Sequence, residues 1–126
     1  MAEFILMREI ILSNLKKIDD PLEQIKTFVI ISKDYFHKNP FLSKVLSDES
    51  GLYEPFLQNE IGLFEKEVEE LFARILYDGI KKGILREMDI KGTANCIFIL
   101  YKSFTYSNKL KLNKAWVQFI VNAIKK

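Results

Sequence analysis

A chain of 126 residues is one domain in size and long enough to bury a single core without disulfides or structural metals. Its 48% hydrophobic and 29% charged residues describe an ordinary globular protein, and a formal net charge of +2, with lysines scattered among acidic residues, leaves no electrostatic footprint for nucleic acid. The single cysteine, Cys96, excludes an intrachain disulfide and two-cysteine redox or zinc chemistry, and points to a reducing cytoplasm.

The N-terminal apolar run Phe4-Ile5-Leu6-Met7 is no targeting or membrane element, because no basic residue precedes it and Arg8-Glu9 interrupts it. It belongs to a first predicted helix, Ala2 to Lys17, with Phe4, Met7, Ile11 and Leu15 on or near one face and Ile18 just beyond. Asp20-Pro21-Leu22-Glu23 starts a second. Asp20 caps it, Pro21 needs no donor at the first position, and Glu23 completes a capping box. This helix runs to His37, with Leu22, Ile25, Val29 and Phe36 in one stripe and Phe28, Ile31 and Tyr35 beside it. Asn39-Pro40 repeats the device and opens a short third helix through Leu46, and Ser47 to Gly51 read as a loop.

The fourth predicted helix, Glu54 to Lys82, places Leu57, Ile61, Phe64, Val68, Leu71 and Ile75 at alternating spacings of four and three, which keeps one face buried over many turns. At 1.5 Å per residue it spans about 40 Å. Glu65, Lys66, Glu67, Glu69 and Glu70 line its other side as a solvated face rather than a metal site. Gly83 suits a left-handed C-cap, with Lys81 and Lys82 in the last turn, so Gly79-x-x-x-Gly83 reads as helix termination before a packing motif. Ile84 and Leu85 lead to Asp89, the cap of a fifth helix reaching Ser107. That helix carries Ile97 to Tyr101 in apolar succession and needs cover on several sides, and its Cys96 reads as a small core residue. The apolar stretch is far short of the roughly 20 residues that cross a bilayer. A sixth helix, Asn113 to Ala123 and on toward the end, offers Trp116, Val117, Phe119, Ile120, Val121 and Ile124, too broad a surface for one packed side. The last two helices present more apolar surface than one small domain buries alone.

Catalytic chemistry finds no set of acid, base and nucleophile. His37 is the only histidine and stands at a helix end, where a surface or capping role outweighs general-base work. No phosphate-binding loop is present, and no cofactor or metal is implied. The expectation is a protein that is not an enzyme. The ten phenylalanines, five tyrosines and one tryptophan are more telling. Tyr35, Tyr77, Asn95, Tyr101 and Ser103 set polar atoms among large apolar neighbours, as ligand pockets do. Phe28, Tyr35, Phe64, Phe72, Tyr77, Asn95, Phe98 and Tyr101 are the candidate lining residues. With no acidic pair or basic residue placed among them, a small apolar or amphipathic ligand, neutral or weakly polar, is expected. The rival reading is a ligand-independent helical interaction module in which the same aromatics form a filled core.

The stretch Asp78 to Tyr101, DGIKKGILREMDIKGTANCIFILY, resembles the C-terminal effector-binding domain of TetR/AcrR-family transcriptional regulators, where a helix ends in a glycine-containing turn and an aspartate opens the next. Asp19 to Ser50, with its acidic-proline start, aromatic helix face and Asn-Pro break, is similar to the same domain. The resemblance implies an all-α, six-helix bundle over residues 1–126, a single ligand-binding and dimerisation domain. It implies a pocket among the first, second, fourth and fifth helices, and a homodimer whose last two helices form a four-helix bundle with the partner's. Ile97, Tyr101, Phe104, Trp116, Phe119, Ile120 and Ala123 are the expected interface residues. Met1 to Leu15 supply none of the family's helix-turn-helix, so the chain reads as the sensor half of a regulator, most often a repressor, that meets DNA only through an N-terminal domain not present here.

Overall fold

Local punctuation decides where the helices begin and end. The computed structural model describes residues 2–39, 55–105 and 114–126 and contains α1 (Ala2–Leu15), α2 (Pro21–Lys38), α3 (Pro55–Lys81), α4 (Ile90–Thr105) and α5 (Lys114–Ile124). They answer to the first, second, fourth, fifth and sixth predicted helices. The short third helix and the loop after it lie outside the described residues. Among the described residues there is no strand, only an isolated antiparallel bridge between Leu85 and Lys125.

Asp20 caps α2 as expected, its Oδ1 accepting from the Leu22 amide at 2.9 Å. The capping box does not close, because Glu23 turns outward to Lys26 Nζ at 3.3 Å. α1 stops at Leu15, two residues earlier than expected, as Ser13 and Asn14 turn their side chains back onto the Ile10 carbonyl. α3 runs unbroken for 27 residues and ends at Gly83, whose φ of 77° only glycine adopts cheaply. There the Ile84 amide donates to the Gly79 carbonyl and the Gly83 amide to that of Ile80, both at 3.0 Å, the paired bonds of a Schellman motif. Asp89 then opens α4, its Oδ1 accepting from the Gly92 amide at 3.2 Å.

The core gathers one face from each helix: Met7, Ile11 and Leu15 from α1; Ile25, Phe28, Val29 and Phe36 from α2; Phe64, Val68, Phe72, Ile75 and Leu76 from α3; Ala94, Ile97, Phe98 and Tyr101 from α4; Trp116, Ile120 and Ile124 from α5. The predicted spacing finds the buried Phe64, Val68 and Ile75 of α3 but not Phe72 and Leu76, the most deeply buried there. Two further features escape it. Gly79 is a close-packing position as well as part of the terminating turn, since a Cβ there would run into the buried Leu85 side chain and approach Pro21. The other is the closure of the C-terminus on that turn, where Arg86 donates from its amide to the Ile124 carbonyl at 3.0 Å and from Nε to that of Ala123 at 2.6 Å, and the Lys126 amide reaches the Ile84 carbonyl at 3.2 Å. Cys96 is exposed rather than core, because it lies on the side of α4 away from Ala94, Phe98 and Tyr101.

Candidate functional site

Helix α3 has two differently furnished sides. On one, Phe72 meets Phe28 of α2 and Tyr101 of α4. The three rings stand edge to face, with centroids 4.9 Å apart for Phe28 and Phe72, 5.1 Å for Phe28 and Tyr101, and 5.9 Å for Phe72 and Tyr101. This triad fills the centre of the bundle. Tyr101 is fully buried, which pushes its phenol well above the ordinary value; the neighbouring buried Ser32 hydroxyl opposes the rise, and the Glu65 carboxylate adds to it. Lys33 spans α2 and α4 by donating to the Phe104 carbonyl at 3.1 Å, and burial lowers its ammonium below the ordinary value.

On the other side of α3, facing α1 and α2, a partly open cleft of about 240 Å³ is lined by Arg8, Ile11, Leu12, Phe28, Phe64, Glu67, Val68, Glu70, Leu71 and Arg74. Its position follows from side-chain length and charge. Glu67, Glu70, Leu71 and Arg74 recur at helical spacing on one face of α3, so a ridge of long polar side chains stands where apolar ones would close onto α1. Arg8 Nε meets Glu67 Oε2 at 3.2 Å and bridges α1 to α3. The floor is apolar and aromatic, made by Ile11, Phe28, Phe64 and Val68. Such a site buries an apolar body and offers charged groups to whatever projects from it.

Of the eight lining residues expected from the sequence, Phe28 and Phe64 line this cleft. Phe72 and Tyr101 belong to the filled triad, Phe98 packs beside Tyr101 at 6.3 Å, and Tyr35 is partly buried on α2. Tyr77 is 55% exposed, and Asn95 stands on the surface, donating from Nδ2 to Glu69 Oε1 at 2.9 Å. The cleft takes residues from α1, α2 and α3 and none from α4. Of its four charged residues, Glu67 and Glu70 fall in the run that reads as a solvated face, Arg8 reads only as a break in the N-terminal apolar run, and Arg74 carries no reading from sequence. The available signal was Leu71, an apolar residue between Glu67, Glu70 and Arg74 on the same side. The neighbouring carboxylates serve separate partners, with Glu65 on Lys102 at 3.1 Å, Glu67 on Arg8 and Glu69 on Asn95. Among the described residues no group of histidine, cysteine and carboxylates gathers to hold a metal.

The expected interface residues divide in a similar way. Ile97, Tyr101, Trp116 and Ile120 are buried within the single chain, and Phe104 stacks on Trp116 with rings 4.9 Å apart and nearly parallel. Phe119 and Ala123 face outward, and the large apolar side chains exposed on α4 and α5 are Ile99, at 53%, and Phe119, at 66%. No described helix is long and apolar enough to cross a membrane.

The sequence matches no protein-family model and no curated protein sequence. Solved structures do match. A transcriptional regulator of the TetR/AcrR family from Thermobifida fusca superimposes with a TM-score of 0.67 at 16% identity over 96% of this chain and 66% of its own. A bacterial regulatory protein in the TetR family from Rhodococcus RHA1 gives 0.62 at 16% identity, over 97% of this chain and 68% of its own. The chain has the all-helical fold of TetR/AcrR-family regulators and spans about two thirds of the length of these two. The resemblance read from Asp78 to Tyr101 and Asp19 to Ser50 thus returns at the level of the fold. Both neighbours are described as regulators, and at 16% identity the likeness is one of fold.

Proposed function

We propose that this chain is the effector-sensing and homodimerising part of a TetR/AcrR-type transcriptional regulator acting in the cytoplasm, most simply a repressor, which contacts DNA only through a helix-turn-helix domain outside these 126 residues. The observation that carries the reading is the cleft between α1, α2 and α3, an apolar floor with a charged mouth in a bundle whose fold neighbours are regulators. A small amphipathic effector seated there favours one spacing of α1 and α3 over another, and so biases the separation of two DNA-binding heads. The arrangement of α1 supports this, since the Arg8–Glu67 pair is an exposed link across the mouth and yields to a competing ligand at little cost.

The outward faces of α4 and α5, with Ile99 and Phe119, support dimerisation through these helices. Sedimentation at micromolar concentration should give a dimer, and Phe119→Glu should give monomers that remain folded. Ile120 is a poorer test, because it is buried in the chain's own core. The sensor reading is tested by thermal shift against small hydrophobic and amphipathic compounds. A true effector at a hundred times its Kd stabilises by about 2.7 kcal/mol. A second reading, a ligand-independent helical interaction module, is favoured by the filled Phe28–Phe72–Tyr101 centre. A dimer that no compound stabilises would select it.

A further inference from the structure

The charges at the cleft mouth narrow the ligand class, an inference that rests on the sensor reading above. Arg8 and Glu67 neutralise one another across α1 and α3. Glu70 and Arg74 also line the cleft, one helical turn apart, with the glutamate N-terminal to the arginine, the order that favours an ion pair within a helix. Neither of these two has an ion-pair partner among the described residues. The mouth therefore offers one anionic and one cationic group side by side, with no net charge. A ligand of a single sign gains from one of them and is opposed by the other. A ligand bearing both signs gains from both, and its apolar body rests on Phe28, Phe64 and Val68.

The geometry points to a small zwitterionic amphiphile as the effector: an ammonium that Glu70 receives, a carboxylate that the planar Arg74 guanidinium grips, and an aromatic or branched aliphatic body in the cleft. At about 240 Å³ the cavity suits a molecule of amino-acid size rather than a long lipid chain. Free aromatic and branched amino acids, and close derivatives that keep both charges, are the class that fits.

Four matched compounds test it on the intact chain by calorimetry and thermal shift: phenylalanine, 3-phenylpropanoate without the ammonium, 2-phenylethylamine without the carboxylate, and neutral 3-phenylpropan-1-ol. The expected result is at least tenfold tighter binding of phenylalanine than of either singly charged analogue. At these two exposed positions, Glu70→Gln should erase the preference over 3-phenylpropanoate and Arg74→Gln the preference over 2-phenylethylamine. Leu71→Trp, which fills the cleft, should abolish binding of all four. Binding of the alcohol with no preference for phenylalanine overturns the zwitterion assignment and leaves the sensor reading intact. If none of the four binds at millimolar concentration, the assignment falls; if a broad hydrophobic screen also finds nothing that Leu71→Trp blocks, the sensor reading falls with it.

Discussion

The two sides of α3 show how one helix separates stability from recognition. On the side running through Phe72, Leu76 and Gly79, every position is buried, the aromatic rings interlock, and the helix ends in a turn pinned by Leu85 and the C-terminus. On the side running through Glu67, Glu70, Leu71 and Arg74, long polar side chains hold α1 off and leave a cleft. The first arrangement has one solution, because close-packed interiors tolerate little change of volume. The second has room to adjust, because exposed ion pairs contribute little and rearrange cheaply. A sensor needs both kinds of surface, and here they lie back to back on the same helix.

Phe72→Ala removes the ring that touches both Phe28 and Tyr101, and should cost about 3–5 kcal/mol in chemical denaturation. A loss below about 1 kcal/mol would mean that the centre is not close-packed. Gly79→Ala comes next. Its Cβ would strike the Leu85 side chain, which is itself buried, so the end of α3 must shift, at about 1–3 kcal/mol. Unchanged stability would place Leu85 outside the core.

Tyr101 gives the locked side a pH signature. Its folded-state pKa is raised by burial above the ordinary value of 10.0, so the folded protein holds the phenolic proton while the unfolded chain releases it. The contribution is fully present below pH 10 and is lost as pH climbs toward the folded value, at about 1.4 kcal/mol per pH unit. Tyr101→Phe should flatten this alkaline decline without altering its counterpart near neutral pH. Identical slopes for the two proteins in denaturation series above pH 10 would contradict the burial of that hydroxyl.

Which parts of this were legible in the sequence follows from the range of the forces involved. Asp20, Gly83 and Asp89 act within a turn or two of their own backbone, so caps and helix ends stand close to where the residues place them. The spacing from Ile61 to Ile75 gave the buried face of α3 because periodicity reports direction. Depth is a different matter. Whether Phe72 fills the centre while Phe64 floors a cleft depends on the side chains that α1 and α2 bring opposite, and no local pattern encodes that. Asn95, among apolar neighbours in sequence, is drawn to the surface by Glu69. The tie from Ile84 and Arg86 to the last residues joins segments some 40 positions apart through backbone groups, which carry no residue-specific signature. Ile120 shows the same limit, since its apolar character served the chain's own core as readily as a partner.

The smallest effect on stability belongs to the cleft side. Arg8 and Glu67 are 57% and 51% exposed in their side chains, so their ion pair is screened by solvent and pays side-chain entropy to form. Arg8→Gln should change unfolding free energy by less than about 1 kcal/mol, more than an order of magnitude below Phe72→Ala in its effect on the population of unfolded chains. Its consequence should appear in recognition. With the link across the mouth removed, Glu67 is freed beside Glu70, and two uncompensated carboxylates face the ligand near a single remaining arginine. Binding of 2-phenylethylamine should strengthen relative to 3-phenylpropanoate, and the gain should fade as salt rises, because like charges at an exposed rim act through a screened field. A variant that lost several kcal/mol of stability would show that the bridge holds α1 in place. One that kept its stability with unchanged relative binding would remove the pair from the recognition surface altogether.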